Sequence, residues 1–294
     1  MAVITIDDIS FEIKKQGFNF DFLHDYGKVF AVFDKNDSGN ISFGVENNEK
    51  KYFIKVGGVQ TLNVNENHKI ETVIAILIHA ADIYKTLRHS SLVNLVDNKE
   101  IQNGYILVFD WFNGECMNEH WTYDKYSKYT HEKSAFYRYI RLDQKFLLKS
   151  INKIFEFHKF IALKNYVAID FYDGSIMYDF NSNETIICDI DFYTKGPYIN
   201  NMGRLWGSSR FMSPEEFIKG DIIDEITNVY TMGATAFVFL GGEKDRSYSK
   251  WRAGKNLYDV ALKAVEPDRK KRYKTINEFI HNWNEALIMD KIII

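Results

Sequence analysis

The amino-acid sequence predicts an α+β protein with two lobes, a small β-rich lobe followed by a larger helical lobe. Three observations predict this class. The first third of the chain is rich in β-branched and aromatic residues, most of the remainder carries apolar residues at helical spacing, and a short strand-rich segment interrupts those helices. We place the β-rich lobe at residues 1–109, and the hinge with the helical lobe at residues 110–294. A ligand-binding cleft is expected between the two lobes.

The composition excludes several classes of protein. The 294-residue chain has a net charge of −3, which gives no electrostatic reason to expect a nucleic-acid partner. Its two cysteines are too few for a disulfide framework or a zinc cluster, so we expect a reducing, cytoplasmic setting. The longest apolar runs, near residues 73–78 and 234–240, are too short to span a bilayer. We therefore expect a cytoplasmic protein with neither a nucleic-acid nor a membrane partner.

The β-rich lobe is predicted from short strands and one amphipathic helix. Strands are indicated by VFAVFD (residues 29–34), ISFGVE (41–46) and YFIKV (52–56), which are rich in β-branched and aromatic residues. Residues 69–87 then carry apolar side chains at the three- and four-residue spacing of a helix. The strand pattern returns in YILVFDWF, residues 105–112. These segments predict a sheet accompanied by a single helix.

The second lobe is predicted to be helical with a β-hairpin inserted. Residues 146–160 place Leu147, Ile151 and Ile154 on one face of a helix. Two strand-like segments follow at residues 166–180 and 185–193. Residues 229–240, VYTMGATAFVFL, are apolar all round, which is typical of a helix buried on every side.

Acidic side chains follow the apolar strands of the second lobe. Asp189 and Asp191 come directly after the strand TIIC, and Asp170 ends the apolar stretch YVAI, with Ser175 five residues later. Carboxylates gathered at the ends of neighbouring strands are how proteins assemble hard oxygen ligands for Mg²⁺. Aspartate is also common in surface turns, which would explain any one of them alone. Two such sets joined by a tight hairpin favour a functional site.

The order of the motifs along the chain resembles that of the eukaryotic-type protein kinases. YFIKV resembles the third-strand motif V-A-I-K, AIDFYDGSIMYDF aligns with H-R-D-L-K-P-E-N-I-L-L-D, and CDIDF aligns with the D-F-G strand. GSSRFMSPEE aligns with the end of the activation segment, and DEITNVYTMGATAF with the helix that follows it. The resemblance covers nearly the whole chain, and it implies a two-lobed protein-kinase-like fold. It also implies that Arg272 pairs with Glu215 and that Asp224 begins a buried helix.

The resemblance implies phosphoryl transfer from ATP with Mg²⁺. Asp170 would accept or orient the proton of the attacking hydroxyl, Lys55 would hold the ATP phosphates, and Ser208 would hydrogen-bond near Asp170. The implied metal ligands are Asp189, Ser175 and Asp191. The implied ATP-binding residues are Gly39, Lys55, Phe109, Asp110, Trp111, Phe112 and Glu115. For Lys55 the alternative explanation is an ordinary lysine on an edge strand.

The chain departs from the family pattern at several functional positions. Ala80 stands where the helix of the first lobe normally carries a glutamate, so the usual ion pair to the strand lysine cannot form. Tyr172 replaces the catalytic-loop lysine, which removes a positive charge near the transferred phosphoryl group. Ser175 replaces the asparagine that binds the second Mg²⁺, and Ile169 replaces the arginine before the catalytic aspartate. Asp191 replaces the glycine of D-F-G and offers a further carboxylate for metal.

Three functions remain open at this stage. The first is a divergent but active protein kinase that phosphorylates Ser or Thr of a protein substrate. The second is a small-molecule phosphotransferase, which Asp191 supports and GSSRFMSPEE opposes. The third is a pseudokinase that acts as a binding or scaffold module for a protein partner, which Ala80 and Tyr172 support.

The stretch DKNDSGNISFGVE, from Asp34 to Glu46, has two interpretations. It resembles a calcium-binding loop in its first nine residues, but its twelfth position is Val45 where such a loop needs a bidentate glutamate. In the kinase alignment Gly39 lies sixteen positions before Lys55, as the last glycine of a phosphate-binding loop does. The first two glycines of that loop fall on Asp34 and Asn36. Acidic side chains there would repel a triphosphate, so we expect weak ATP binding that Asp37→Gly tightens.

Overall fold

The chain has mixed α+β structure, with a β-sheet in its N-terminal region and helices in its C-terminal half. The computed structural model describes residues 1–15, 17–35, 39–48, 50–62 and 69–292. The chain divides into two compact units, Met1–Asn113 and Gly114–Ile294. None of the helices in the described ranges has the length and apolar character needed to traverse a lipid bilayer.

The first unit is an antiparallel sheet with one long helix. Its elements are β1 (Ala2–Ile6), β2 (Ile9–Ile13), β3 (Lys28–Phe33), β4 (Ile41–Asn47), β5 (Lys50–Gly57), α1 (Ile70–Thr86), β6 (Leu95–Ile101) and β7 (Gly104–Asp110). Five strands pair antiparallel in the order β3-β4-β5-β7-β6, and β1 and β2 form a separate hairpin. Helix α1 contacts β5, β6 and β7 and buries a face that includes Val73, Leu77 and Ala80. The strands and the helix that the apolar patterns predicted are therefore confirmed.

The stretch from Asp34 to Glu46 is flanked by strands on both sides. Strand β3 ends at Phe33 and β4 begins at Ile41, and the two pair with each other. A calcium-binding loop of the helix-loop-helix kind needs helices at these positions. The calcium interpretation is therefore excluded. Asn36, which replaces a glycine of the predicted phosphate-binding loop, and Asp37, whose carboxylate is predicted to repel ATP, lie outside the described residues.

The second unit is helical with short strand pairs. Its elements are β8 (Glu115–Cys116), α2 (Ala135–Tyr139), α3 (Gln144–Leu163), β9 (Tyr166–Val167), β10 (Ile176–Asp179), β11 (Glu184–Ile187), β12 (Thr194–Lys195), β13 (Tyr198–Ile199), β14 (Ile222–Ile223), α4 (Glu225–Leu240), α5 (Lys255–Ala264) and α6 (Ile276–Met289). The strands form the sheet β11-β10-β8 and the pairs β12-β9 and β13-β14. The hairpin predicted within the helical part of the chain is thus β10-β11.

Helix α4 lies at the centre of the second unit. Every residue from Thr227 to Leu240 is buried, and α3, α5 and α6 all contact it. The Asp224 carboxylate caps the helix by accepting from the Ile226 amide at 2.9 Å and from the Arg269 guanidinium at 2.6 Å. The prediction of a helix buried on all sides is confirmed.

A buried ion pair joins the segment before α4 to the segment before α6. The Arg272 guanidinium donates to both carboxylate oxygens of Glu215, at 2.7 and 3.0 Å. Both side chains are almost fully buried, with relative exposures of 0% and 1%. This two-point geometry is the one in which an arginine and a carboxylate satisfy each other best. The pairing of Arg272 with Glu215 is therefore present.

Candidate functional site

The two predicted catalytic-site aspartates share an unusual backbone conformation. Asp170 follows β9 by three residues and Asp189 follows β11 by two, with φ angles of 64° and 54°. Residues other than glycine adopt this left-handed conformation at a cost of about 1 kcal/mol or more, although aspartate tolerates it better than most. Such strained positions concentrate at functional sites. The fold therefore holds the backbone of both residues in a conformation that an unfolded chain would rarely adopt.

The structure brings Asp170 together with the segment that contains Ser208. Gly207 has a φ angle of 124°, and a Cβ atom built on it would lie 3.4 Å from the Asp170 Cα and 3.6 Å from its Oδ1. A Cβ at 207 would therefore be in van der Waals contact with the aspartate, and the positive φ angle itself favours glycine here. Ser208 comes next in the chain, and its Oγ accepts from the Arg210 Nε at 3.2 Å. The predicted neighbours Asp170 and Ser208 thus belong to adjoining stretches of backbone.

The predicted metal ligands Ser175 and Asp189 lie just before and just after one hairpin, β10-β11. Ser175 precedes β10 and Asp189 follows β11, and the Cys188 amide donates to the Ser175 carbonyl at 2.9 Å. The Ser175 hydroxyl is buried, and its Oγ has no hydrogen-bond partner in the described part of the chain. Asp191 is also buried. No cluster of three or more His, Cys, Asp or Glu side chains suited to a metal occurs among the described residues.

The unpartnered hydroxyl gives a direct test of Ser175. Without nucleotide, Ser175→Ala is expected to leave the free energy of unfolding unchanged or to raise it by up to about 1 kcal/mol, because a buried hydroxyl without a partner is unfavourable. With Mg²⁺-ATP, the rise in melting temperature should be smaller than in the wild type, because the resemblance makes Ser175 a ligand of the ion. Thermal unfolding measures both quantities.

A matched control lies in the turn of the same hairpin. Ser182 donates to the Asp179 carboxylate at 2.7 Å in an exposed position, so Ser182→Ala should leave the response to Mg²⁺-ATP unchanged. A marked loss of stability in Ser175→Ala without nucleotide would contradict the assignment, because it would mean that the hydroxyl is satisfied within the protein.

Tyr172 occupies the position that the sequence resemblance aligns with a lysine. Its ring lies over Gly174, since a Cβ built on that glycine would come within 2.4 to 2.6 Å of the ring atoms. Burial, followed by the charges of Asp189 and Asp170, raises the pKa of Tyr172. The hydroxyl is therefore neutral at physiological pH. Unlike a lysine, this side chain carries no positive charge.

A network of buried and half-buried charges surrounds Asp173, three residues after Asp170 in the chain. Asp173 is fully buried and binds Lys128 at 2.6 Å through one oxygen and Arg210 at 2.8 Å through the other. Arg210 also contacts the Glu243 carboxylate at 3.0 Å. Lys128, Arg210 and Glu243 could not be predicted from the sequence, because they lie in separate loops and no local pattern connects them.

Glu115, predicted to bind ATP, is engaged in an ion pair. Its carboxylate contacts the guanidinium of Arg138 on α2, and that guanidinium lies 4.2 Å from the centre of the Phe180 ring. Burial, and then the nearby charge of Glu115, raise the pKa of Glu119 to about 7, although Arg138 opposes this shift. A ligand that used Glu115 would therefore compete with Arg138.

The predicted ATP residues of the first unit lie on its sheet or within two residues of one of its strands. Lys55 is on β5, the central strand, where it is opposite Ser42 of β4 and Leu107 of β7. The alternative of an edge-strand lysine is therefore wrong, because β5 pairs with a strand on each side. The alternation of residues in a strand could not show this, since it does not reveal which strands lie beside it. Gly39 has a φ angle of 81°, in the left-handed region.

The segment predicted as the hinge is held within the first unit. Phe109 is buried and packs 4.8 Å from the Tyr84 ring. The Asp110 amide donates to the Asn94 carbonyl and the Trp111 amide to the Lys51 carbonyl, both at 3.0 Å. These two donors are therefore used within the sheet, and an adenine ring would have to use other backbone groups, such as those of Phe112.

No protein-family model and no curated protein matches this chain. The function is therefore inferred from three features of the second unit. These are Asp170 near Gly207 and Ser208, Ser175 beside the strand that leads to Asp189, and the charge network around Asp173.

Proposed function

We propose that the protein is a divergent protein kinase, which transfers the γ-phosphoryl group of Mg²⁺-ATP to a hydroxyl group of a protein acceptor. The observation that carries the proposal is the pair Asp170 and Asp189. Both follow strands of the second unit, both have left-handed backbone conformations, and Asp170 lies against the Gly207–Ser208 segment. A base beside a segment suited to the acceptor, with a metal-binding carboxylate nearby in the chain, is the arrangement that phosphoryl transfer needs.

The architecture of each unit supports a protein-kinase-like fold. The first unit combines a five-stranded antiparallel sheet with a single long helix. The second is built around the buried helix α4, capped by Asp224, with the Glu215–Arg272 ion pair beside it. These features agree with the motif order in the sequence, which is the basis of the resemblance.

The residues present fit Mg²⁺. Asp189 supplies a carboxylate and Ser175 an unpartnered buried hydroxyl, and Mg²⁺ prefers hard oxygen donors of this kind. Because Mg²⁺ is usually held by one or two carboxylates together with substrate phosphates, a cluster of three acidic side chains is not required. Asp189, Ser175 and Asp191 would hold the ion, which offsets the negative charge of the phosphates when bound.

Three further side chains have roles in the proposed phosphoryl transfer. Asp170 accepts the proton of the acceptor hydroxyl while the new oxygen–phosphorus bond forms and the bond to ADP breaks. Lys55 holds the phosphates. Tyr172, which stays neutral, contributes a hydrogen-bond donor where the family has a cation.

A second candidate function is a pseudokinase that binds a protein partner without transferring phosphate. The observation that favours it is Ala80, which is fully buried in α1. This position offers no carboxylate to orient Lys55, and Tyr172 offers no charge to the transferred group. Both losses would slow the reaction, so turnover decides between the two functions.

The test is transfer of labelled phosphate. Purified protein is incubated with Mg²⁺ and γ-labelled ATP, with dephosphorylated casein and myelin basic protein as generic acceptors. We expect label in an acceptor or in the protein itself, and we expect both this label and the stabilisation by Mg²⁺-ATP to vanish in Asp189→Ala. Stabilisation by Mg²⁺-ATP without any transfer would reject the kinase and support the pseudokinase.

A further inference from the structure

The charge network around Asp173 connects two segments that the proposed reaction needs side by side. Asp173 lies three residues after Asp170 in the same turn, and Arg210 lies three residues after Gly207. A Cβ built on Gly207 would lie 3.4 Å from the Asp170 Cα, and Arg210 binds Asp173 at 2.8 Å. The two segments therefore approach each other at the predicted base and are joined at a half-buried ion pair.

Arg210 makes three different contacts with the three nitrogens of its guanidinium. Its Nε donates to the Ser208 Oγ at 3.2 Å, one terminal nitrogen donates to Glu243 at 3.0 Å, and the other donates to Asp173 at 2.8 Å. A planar guanidinium holds such contacts in a fixed mutual geometry, which a lysine ammonium on a flexible chain does not reproduce. The side chain thus fixes Ser208 relative to the turn that carries Asp170.

Lys128 fixes the other oxygen of Asp173. Its Nζ lies 2.6 Å from that carboxylate and 2.6 Å from the Asn118 Oδ1, and it lies 4.7 Å from the centre of the Phe136 ring. With both oxygens bound, the Asp173 side chain cannot rotate away from Arg210. The two cations and two carboxylates of the network balance in charge, which suits the buried Asp173 at its centre.

We propose that Arg210 is a positioning residue for the phosphoryl transfer: it ties the segment 207–213 to the turn 170–175 and so sets Ser208 and Gly207 against Asp170. This inference rests on the proposed kinase function for its kinetic part. Buried ion pairs contribute little net stability compared with apolar packing, and their best-attested use is to specify one geometry. The Arg210 cation also donates a hydrogen bond to the Ser208 Oγ. Tyr172, which precedes Asp173 in the chain, carries no charge.

The test compares three variants in the full chain. Arg210→Met removes the tie, and Arg210→Lys keeps the charge but not the fork of contacts. Lys244→Met is the matched control, because Lys244 contacts the same segment through the Ser209 Oγ at 3.0 Å in an exposed position without touching Asp173. Amide hydrogen exchange of residues 207–213 and steady-state kinetics are measured for each protein.

Because Arg210 holds this segment in place, we expect faster amide hydrogen exchange at residues 207–213 in Arg210→Met than in the wild type. Arg210→Lys should show an intermediate increase. The same contacts also predict that kcat falls by about two orders of magnitude in Arg210→Met, as small displacements of reacting groups do, while the KM for ATP changes less than about twofold because the nucleotide contacts remain. Lys244→Met should match the wild type in both. If Arg210→Met does not fold, Arg210→Lys carries the same comparison.

Two results would overturn the inference. One is unchanged exchange in Arg210→Met, which would mean that the side chain does not hold the segment. The other is faster exchange with unchanged kcat, which would mean that the tie is structural only. A wild-type protein that transfers no phosphate would reject the proposed function instead, and faster exchange in Arg210→Met would then still support the tie.

Discussion

Arg272→Met is expected to lower the free energy of unfolding by about 3–5 kcal/mol, because it leaves the Glu215 carboxylate buried without its partner. Glu215 is 1% exposed and receives two hydrogen bonds from Arg272. Its remaining cationic neighbour, Arg269, lies 4.0 Å away and already binds Asp224. Urea denaturation of the wild type and the variant measures the difference.

An exposed ion pair provides the matched control. Lys153 and Glu184 contact each other at 2.7 Å with side chains 31% and 46% exposed, so Lys153→Met should cost at most about 1 kcal/mol. The double variant Glu215→Gln with Arg272→Met should be more stable than Arg272→Met alone, because it removes the unpaired charge. Equal losses in Arg272→Met and Lys153→Met would contradict the burial argument.

The same ion pair predicts a pH dependence. Burial alone raises the pKa of Glu215, but the hydrogen bonds and the charge of Arg272, with help from Arg269, outweigh it and lower the pKa below the usual 4.5. The unfolded chain then binds the proton more readily than the folded chain, so the stabilisation is present above pH 4.5 and is lost as the pH falls below it. The stability difference between the wild type and Glu215→Gln should therefore shrink when urea denaturation is repeated below pH 4.5.

Asp170→Asn is expected to reduce phosphate transfer by about 10²- to 10⁴-fold, the range that a lost general base accounts for. The fold should be retained, because asparagine adopts the left-handed conformation of this position as readily as aspartate does. Stabilisation by Mg²⁺-ATP should also be retained, because Asp170 is assigned to the proton and not to the metal. Label transfer and thermal unfolding measure these effects separately.

The control for this variant is the same substitution at a surface turn. Asp179, at the end of β10, accepts hydrogen bonds from Asn181 and Ser182 of its own turn, so Asp179→Asn should transfer phosphate at the wild-type rate. If Asp170→Asn kept the wild-type rate as well, Asp170 would not be the base and the kinase mechanism would be wrong at its centre.

Local patterns in the sequence predicted the elements of the fold because helices and strands have fixed periods. The strands at 41–46 and 52–56, the helix at 69–87 and the buried helix at 229–240 all appear in the structure. These patterns report how a segment meets its surroundings and not which segment it meets. For this reason alternation alone could not place Lys55 on a central strand.

The candidate site was predictable only where one segment carries the chemistry. Asp170, Ser175 and Asp189 each stand next to an apolar strand, so their positions could be inferred. The contact of Arg210 with Asp173 spans 37 residues of chain and that of Lys128 spans 45. Ion pairs between residues far apart in the chain produce no periodic pattern in the sequence. This network could therefore not be predicted.

The burial of α4 has a consequence for how the protein is made. A helix that is apolar on every side has no face that tolerates water, so α4 depends on its neighbours to be stable. Of these neighbours, α3 precedes it in the chain, whereas α5 and α6 are synthesised afterwards. A growing chain therefore exposes an aggregation-prone segment until α5 and α6 have been synthesised. A chain shortened before α5 should accumulate as insoluble protein.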